Sequence, residues 1–217
     1  MGQFSISKPL YQQAYDEIKK LILTGLIPPG AKVIASQLAE KYNISRTPLR
    51  EALRQLQNEG LLIDDQTGIY VIELNRKEFE DLCECRLLLE KKLMEMIVNK
   101  ISNEQLAQIE KVLAEAENSL KEDDSLKILS LNAQYHKLLM DCCPNRRLVQ
   151  LLEQVRSLML IYRANINKKL DPEIINEHKK IFFALKERNM EKVLELIELH
   201  LKNDRIRGMK VLEEYEK

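Results

Sequence analysis

Three arginines in the stretch NISRTPLREALRQLQNEGLL are spaced four residues apart: Arg46, Arg50 and Arg54. On a helix this spacing places the three guanidinium groups in one row, because four residues are close to one turn. A guanidinium is planar, and it can bind the edge of guanine or a phosphate through two hydrogen bonds. Such a row is also common on an ordinary solvated helix face. The choice between the two interpretations depends on the elements around the row.

The residues before this row predict two helices and a tight turn. Apolar residues recur with helical spacing over 10–24. After the stiff loop LIPPG, a short helix is predicted over 36–42. Asn43 can then adopt the left-handed conformation that lets the chain leave this helix.

The arginines themselves lie on a third predicted helix, which begins near Ser45 or Thr47. Either side chain can accept a hydrogen bond from a free N–H group at the start of a helix. With Ser45 as the cap, Pro48 falls in the first turn, where its missing N–H costs little. After this helix, the β-prone runs 61–63 and 69–72 flank the polar turn DDQTG and predict a β-hairpin.

The order of helix, tight turn, helix and hairpin is that of a winged helix-turn-helix. The stretch PPGAKV…LAEKYNISRTPLREALRQLQNEGLL closely resembles the DNA-binding domain of GntR-family transcription regulators. The resemblance implies that the third helix enters the major groove and that hydroxyl groups beside the arginines bind phosphate. Of the arginines, the first two would contact bases or phosphates, and the third would contact a phosphate or a neighbouring acid. The residues implied in DNA binding are Ser45, Arg46, Thr47, Arg50 and Arg54.

From about residue 76 onward the apolar residues recur with the period of helices, and breakers are few. The predicted fold is therefore mainly α, with a winged helix-turn-helix head carrying a small β-hairpin wing and then an all-α, six-helix antiparallel bundle. The predicted boundaries are 1–75 for the head and 76–217 for the helical body. The six helices are predicted at about 76–99, 102–121, 125–142, 145–168, 172–188 and 190–214.

The three histidines of the chain, His136, His178 and His200, all fall in the helical body, each on a different predicted helix. Asn132 precedes His136 by four residues, so these two side chains share a helix face. Imidazole is a common ligand of zinc and similar divalent metals. A single histidine on an amphipathic helix is more often structural, and spacing alone does not show that three helices converge.

The segments LNAQYHKLL, NEHKKIFFALKERNMEKV and IELHLKN resemble three helices of the FCD effector domain, which follows the GntR head in the FadR subfamily. Six helices rather than seven resemble its VanR-like branch. The resemblance implies that Asn132, His136, His178 and His200 bind a divalent metal, namely zinc, with nickel and manganese as alternatives. Relatives more often have aspartate where this chain has Asn132. A neutral amide is the weaker donor, and it would favour an anionic ligand on the metal.

The resemblance also implies a small carboxylate-bearing metabolite as the effector, bound at the open positions of the metal. Arg86 matches a position where relatives often carry arginine, and it would pair with the carboxylate of the effector. The alternative for Arg86 is an ordinary surface ion pair with Glu90, four residues on. Tyr162 and Arg163 are further candidates for effector binding.

Composition limits the remaining classes of protein. Lysine and arginine together number 34, as do aspartate and glutamate, so DNA binding depends on local patterning rather than net charge. The four cysteines have the spacing of neither a disulfide framework nor a zinc knuckle. The chain begins without an apolar signal-like run and contains no membrane span, so we expect a cytoplasmic protein.

The predicted function is a homodimeric, metabolite-responsive transcription regulator that binds double-stranded operator DNA, with repression as the commoner mode in the family. Two alternatives remain open at this point. The metal of a DNA-binding regulator can be purely structural, or three histidines on a metal can activate water in a metal-dependent hydrolase. No general base is evident beside the histidines, and an attached DNA-binding head favours sensing over catalysis.

Overall fold

The computed structural model describes residues 8–73, 75–164 and 171–215, without the side chains of 125–126, 162–164, 211 and 214–215. These ranges contain nine helices and one three-stranded sheet. The predicted fold class is confirmed, because a helix-turn-helix with a small wing is followed by a helical domain.

The head begins with three helices and a sheet of order β1-β3-β2, in which both strand pairs are antiparallel. The predicted hairpin is present, and its strands extend into the predicted turn, the first as far as Asp65 and the second from Gly68. β1 pairs Lys32 with Tyr70 and was not predicted, because two residues are too few to show a period. The elements are α1 (Leu10–Leu23), β1 (Lys32–Val33), α2 (Ala35–Tyr42), α3 (Arg46–Asn58), β2 (Leu62–Asp65) and β3 (Gly68–Val71).

The turn between α2 and α3 has the predicted chemistry. Asn43 has φ 47° and ψ 48°, the left-handed conformation that ends α2. Ser45 is the N-cap of α3 with an extended backbone, although its side chain forms no capping hydrogen bond. Pro48 therefore lies in the first turn of the helix, as predicted.

Burial of one face of α3 fixes which side chains face outward. Leu49, Leu53 and Leu56 are buried in the core of the head with residues of α1 and the sheet. At the end of α3, Glu59 accepts hydrogen bonds from the Tyr15 hydroxyl at 2.6 Å and from Lys19 Nζ at 2.7 Å. These contacts hold α1 against α3, so the opposite face of α3 remains exposed.

The body consists of six helices, as predicted, and their observed ends lie within a few residues of the predicted ones. The end of the fourth predicted helix, at 168, lies outside the described residues. Ser102 and Gln105 form a reciprocal capping box at the start of α5. The helices are α4 (Arg76–Ile97), α5 (Asn103–Lys121), α6 (Ser125–Asp141), α7 (Arg146–Ala164), α8 (Glu173–Lys186) and α9 (Met190–Tyr215).

The chain forms two compact units. The first extends to Asn75 and also includes the segment of α7 that begins at Ser157; the second comprises Arg76–Arg156 and the helices after α7. In the second unit α4 packs against α9, and α8 packs against both α5 and α9. None of the described helices is both long and apolar enough to cross a membrane.

Candidate functional site

The exposed face of α3 carries the predicted arginine row. Arg46, Arg50 and Arg54 are all exposed, and so are Ser45 and Thr47 at the start of the helix. Within the described residues, no carboxylate pairs with any of the three guanidinium groups. The structure therefore places all five predicted DNA-binding residues at the N-cap or on the exposed face of α3, with three cations available to an anionic partner.

One acidic residue of the wing that follows α3, Asp65, forms its hydrogen bonds within the wing itself. The Asp65 carboxylate accepts hydrogen bonds from the hydroxyl and the amide of Thr67, each at 2.7 Å, and these bonds lower the pKa of Asp65. Lys32 on β1 reaches the same turn and donates to the Thr67 carbonyl at 2.6 Å. No local sequence pattern predicts this contact, because Lys32 and Thr67 meet only through the pairing of β1 with β3.

In the body, His136 on α6, His178 on α8 and His200 on α9 converge. Each offers one ring nitrogen, and these three atoms lie within 4.8 Å of one another. All three side chains are buried. Nitrogens bound at 2.0–2.1 Å to a common zinc ion lie at most about 4 Å apart, so a shift of under about 1 Å would bring the three onto one ion.

Aromatic contacts fix the planes of the histidine rings. Tyr135 stacks on His178 with ring centroids 4.1 Å apart and an interplanar angle of 19°. His136 meets His178 edge-on, with centroids 4.8 Å apart. The neighbouring rings therefore limit the rotation of His178, which has no hydrogen bond to either of its nitrogens among the described residues.

Glu177 orients the third histidine. Its carboxylate lies 2.6 Å from Nδ1 of His200, and it accepts two hydrogen bonds from Arg207 and one from Asn203. A proton on Nδ1 leaves Nε2 with a free lone pair, and Nε2 is buried without a partner in the described structure. Burial opposes ionisation of Glu177, but the hydrogen bonds from His200, Arg207 and Asn203 outweigh it and lower the pKa to about 2.

The atoms left without partners fit a metal ion. Both nitrogens of His178, Nε2 of His200 and Oδ1 of Asn132 are buried and lack hydrogen-bond partners in the described structure. Buried polar atoms are costly unless they are satisfied, and these are neutral N and O donors of the kind that zinc binds. Asn132 lies one helical turn before His136, as predicted. These donors fit a divalent metal.

The protonation state of the histidines also suits a metal. Burial lowers the pKa of His136, with a further contribution from Arg156, and burial together with His200 lowers the pKa of His178. Both shifts favour the neutral imidazole, the form that binds metal.

Arg86 lies in a buried ion-pair network beside the histidines. Its Nε donates to Glu90 at 2.6 Å, and its Nη1 donates to Asp204 on α9. Arg156 on α7 donates to the same oxygen of Glu90 at 2.8 Å. The pair of Arg86 with Glu90 is thus present, but it lies in the interior, with Arg86 5% and Glu90 3% exposed.

The charged groups around this site were not predicted from the sequence. Each of them pairs with a residue on another helix, and the spacing of residues along one helix does not reveal such a pair. They are Glu90 as an interior group, Arg156, Glu177, Asp204 and Arg207. The side chains of Tyr162 and Arg163, predicted to contact the effector, lie outside the described residues.

Comparison with known proteins agrees with this two-part arrangement. The family profile for bacterial regulatory proteins of the gntR family matches residues 10–71, and the FCD domain profile matches residues 81–203. The chain belongs to the GntR family. A Bacillus subtilis relative of this GntR regulator, described as the uncharacterized HTH-type transcriptional regulator YdhC, is 34% identical over 99% of this chain and 98% of its own length.

Other relatives of the GntR regulator are more distant. The Bacillus subtilis gluconate operon transcriptional repressor is 26% identical over 78% of this chain and 73% of its own length. The Escherichia coli repressor RspR is 24% identical, over 92% of this chain and 89% of its own. The solved structure of E. coli McbR/YncC has a TM-score of 0.83 at 21% identity, covering 97% of this chain and all of that one, and shows the same fold.

Both domains and the relatives place the chain among transcription regulators and not among enzymes. The GntR head accounts for DNA binding, and the FCD domain accounts for an effector-binding body. The body therefore belongs to a class of domains that bind a small molecule, and its histidine cluster could hold a metal.

Proposed function

We propose that this GntR regulator is a repressor whose affinity for operator DNA changes when a small anionic metabolite binds beside a divalent metal in the helical body. One observation carries the proposal: ring nitrogens of His136, His178 and His200 lie within 4.8 Å of one another in the interior of the body, and the head carries an exposed arginine row on α3.

For the head, the proposed mechanism is direct reading of the major groove by α3. Arg46 and Arg50 lie in its first turns, the part of a recognition helix that reaches base edges. Ser45 and Thr47 are short hydroxyl side chains at the same end, suited to bind phosphate. As a homodimer, the protein would present two such helices to the half-sites of a palindrome.

The test of DNA reading uses duplexes selected from a random library by the wild-type protein. Arg46→Ala and Arg50→Ala should each weaken binding by about 1–3 kcal/mol, because each removes a guanidinium contact. Lys111→Ala on α5 is the matched control, since it removes an exposed cation from the body. Unchanged binding isotherms for both head variants, with an unaltered melting temperature, would contradict the proposal.

For the body, the proposed ligands of the metal are the three histidines and Asn132, and zinc is the proposed ion, with nickel and manganese as alternatives. Neutral imidazole and amide donors supply no negative charge to balance a divalent ion. The charged side chains nearby balance one another: the acids Glu90, Glu177 and Asp204 face the cations Arg86, Arg156 and Arg207. When bound, the metal supplies a Lewis-acidic positive site that attracts an anion.

A hydroxy acid is the proposed class of effector. Two relatives that regulate gluconate operons share the family of this chain, and gluconate carries a carboxylate suited to the open side of a metal. We also propose that the chain belongs to the FadR subfamily and its VanR-like branch, and that the protein is cytoplasmic. The six-helix body and the FCD match support the subfamily assignment, and membership of a family of transcription regulators supports the location.

The effector hypothesis is tested by measuring operator affinity in four states: metal-free and zinc-loaded, each with and without gluconate. The proposal predicts that the carboxylate changes the affinity only in the zinc-loaded state. If zinc raises the melting temperature but neither zinc nor any carboxylate changes DNA affinity, the metal is purely structural. Such a result would contradict the sensing mechanism and leave DNA reading intact.

A further inference from the structure

Tyr135 on α6 has a buried hydroxyl that no group in the described part of the chain satisfies. The side chain is 1% exposed, and its hydroxyl has no hydrogen-bond partner among the described residues. A buried phenol hydroxyl normally finds a partner, because burying it unpaired costs free energy. Phenylalanine would place the same ring here without that cost. The hydroxyl therefore needs an explanation other than packing.

The ring of Tyr135 is held against the histidine cluster. It stacks on His178 at 4.1 Å between centroids and meets His136 at 5.1 Å with an interplanar angle of 73°. Two of the three candidate metal ligands thus touch the same phenol ring. Contacts to both rings restrict the phenol, so its hydroxyl keeps a defined position beside them.

The nearest charged groups are already engaged with each other. Glu90 and Arg156 are the charged side chains that act electrostatically on the phenol. Arg156 donates to Glu90 at 2.8 Å, and Glu90 also accepts from Arg86 at 2.6 Å. The phenol ring thus contacts the histidine cluster and lies within electrostatic reach of this ion-pair network, and its hydroxyl forms no hydrogen bond with either among the described residues.

We propose that the Tyr135 hydroxyl is a ligand-recognition group, which donates a hydrogen bond to an oxygen of the small anion bound at the metal. This inference rests on the proposed function, because it assumes a metal on the histidines and an anion beside it. A phenol is protonated at neutral pH and can donate. A carboxylate oxygen is a strong acceptor, since a hydrogen bond to an ionised group is about twice as strong as a neutral one.

The hydroxyl group of Tyr135 should not stabilise the metal-free fold, but it should strengthen binding of the anion. Removing the hydroxyl by Tyr135→Phe keeps both ring contacts and deletes a group that folding buries without a partner. The metal-free variant should therefore melt at the same temperature as the wild type or higher. Its affinity for a metal-bound anion should fall about tenfold or more, the loss expected for a hydrogen bond to a charged acceptor.

The experiment uses the full-length protein loaded with Co²⁺ and titrated with acetate, and it follows the visible absorption of the metal. Co²⁺ affinity is measured first, by competition with a chelator, and should be equal in the wild type and Tyr135→Phe. Tyr15→Phe is the matched control, because the Tyr15 hydroxyl has a protein partner in Glu59 at 2.6 Å. Tyr15→Phe should lower the melting temperature and leave acetate binding unchanged.

The outcomes separate this inference from the proposed function. A wild type that binds no Co²⁺ would overturn both the metal site and the role of Tyr135. A wild type that binds Co²⁺ but shows no acetate-dependent spectral change would overturn the role of Tyr135, as would equal acetate affinities of the wild type and Tyr135→Phe. In the last case the metal site itself would stand.

Discussion

The head and the body of this GntR regulator handle charge in opposite ways. On α3 of the head, Arg46, Arg50 and Arg54 are exposed and have no carboxylate partner among the described residues. In the body, the buried Arg86 and the partly buried Arg156 both bind the buried Glu90. Exposed cations cost little and remain available to DNA, whereas buried cations must be neutralised on site.

The groups without partners therefore differ in kind between the two regions. In the head they are positive, which suits a polyanion. In the body, most of the buried atoms without a partner among the described residues belong to neutral groups: His178, His200, Asn132 and Tyr135; the exception is Nε of Arg207. Neutral donors beside a balanced ion-pair network suit a metal and the anion that it attracts.

The largest expected effect is a loss of stability when one charge is removed from the buried ion pairs of the body. Arg86→Ala leaves Glu90 and Asp204 short of a buried cation, and it should lower the free energy of unfolding by about 3–5 kcal/mol. Lys92→Ala is the control, because its pair with Glu95 is exposed and should contribute no more than about 0.5 kcal/mol. Urea denaturation of the metal-free proteins measures both. A loss below about 1 kcal/mol for Arg86→Ala would mean that Arg86 is not a structural ion-pair partner.

The next effect concerns the orientation of His200. Glu177→Gln replaces the carboxylate that faces Nδ1 of His200, and zinc affinity should fall about 10–100-fold. Glu173→Gln, on an exposed side of the same helix, is the matched control. Competition with a chromophoric chelator gives the affinities. Equal zinc affinity in Glu177→Gln and the wild type would show that Glu177 serves only the ion pair with Arg207.

The pH dependence of stability should identify the same carboxylate. The pKa of Glu177 is about 2 in the folded chain, and that of an unfolded glutamate is about 4.3. Between these values the unfolded chain binds more protons, so stability falls as the pH is lowered through this window. The stability difference between the wild type and Glu177→Gln should be largest above pH ~4.5 and shrink toward pH ~2. Denaturation of the metal-free proteins at several pH values measures it, and a constant difference would contradict the assignment.

The smallest effect should distinguish the arginines of the head from one another. Arg54 lies two turns into α3, beyond the turns that reach base edges. Arg54→Ala should weaken operator binding by less than about 1 kcal/mol and equally for all sequences, as expected for a phosphate contact. A loss as large as that of Arg50→Ala, confined to the selected sequence, would make Arg54 a base-reading residue.

Local sequence patterns predicted the head well. The turn at Asn43, the cap position of Ser45 and Pro48 in the first turn are properties of a few consecutive residues, and all three are present in the structure. The strand Lys32–Val33 escaped prediction because its identity depends on pairing with Ile69 and Tyr70, far along the chain.

In the body, sequence alone identified the histidines but not their surroundings. Helical period predicted six helices, and resemblance to a family suggested which residues converge on a metal. Glu177 directly precedes His178, yet its partner is His200 on the next helix. Asp204 is 118 residues away from Arg86. Such contacts are set by how helices pack, so no local pattern encodes them.

The central claim is that the buried histidine cluster binds a divalent metal. Equilibrium dialysis of the chelator-stripped protein against Zn²⁺ tests it most directly, with His178→Ala as the variant and Lys180→Ala, on the exposed side of the same helix, as the control. The expected result is about one zinc ion per chain for the wild type and Lys180→Ala, and none for His178→Ala. Absence of bound zinc in the wild type, or equal zinc content in His178→Ala, would contradict the claim.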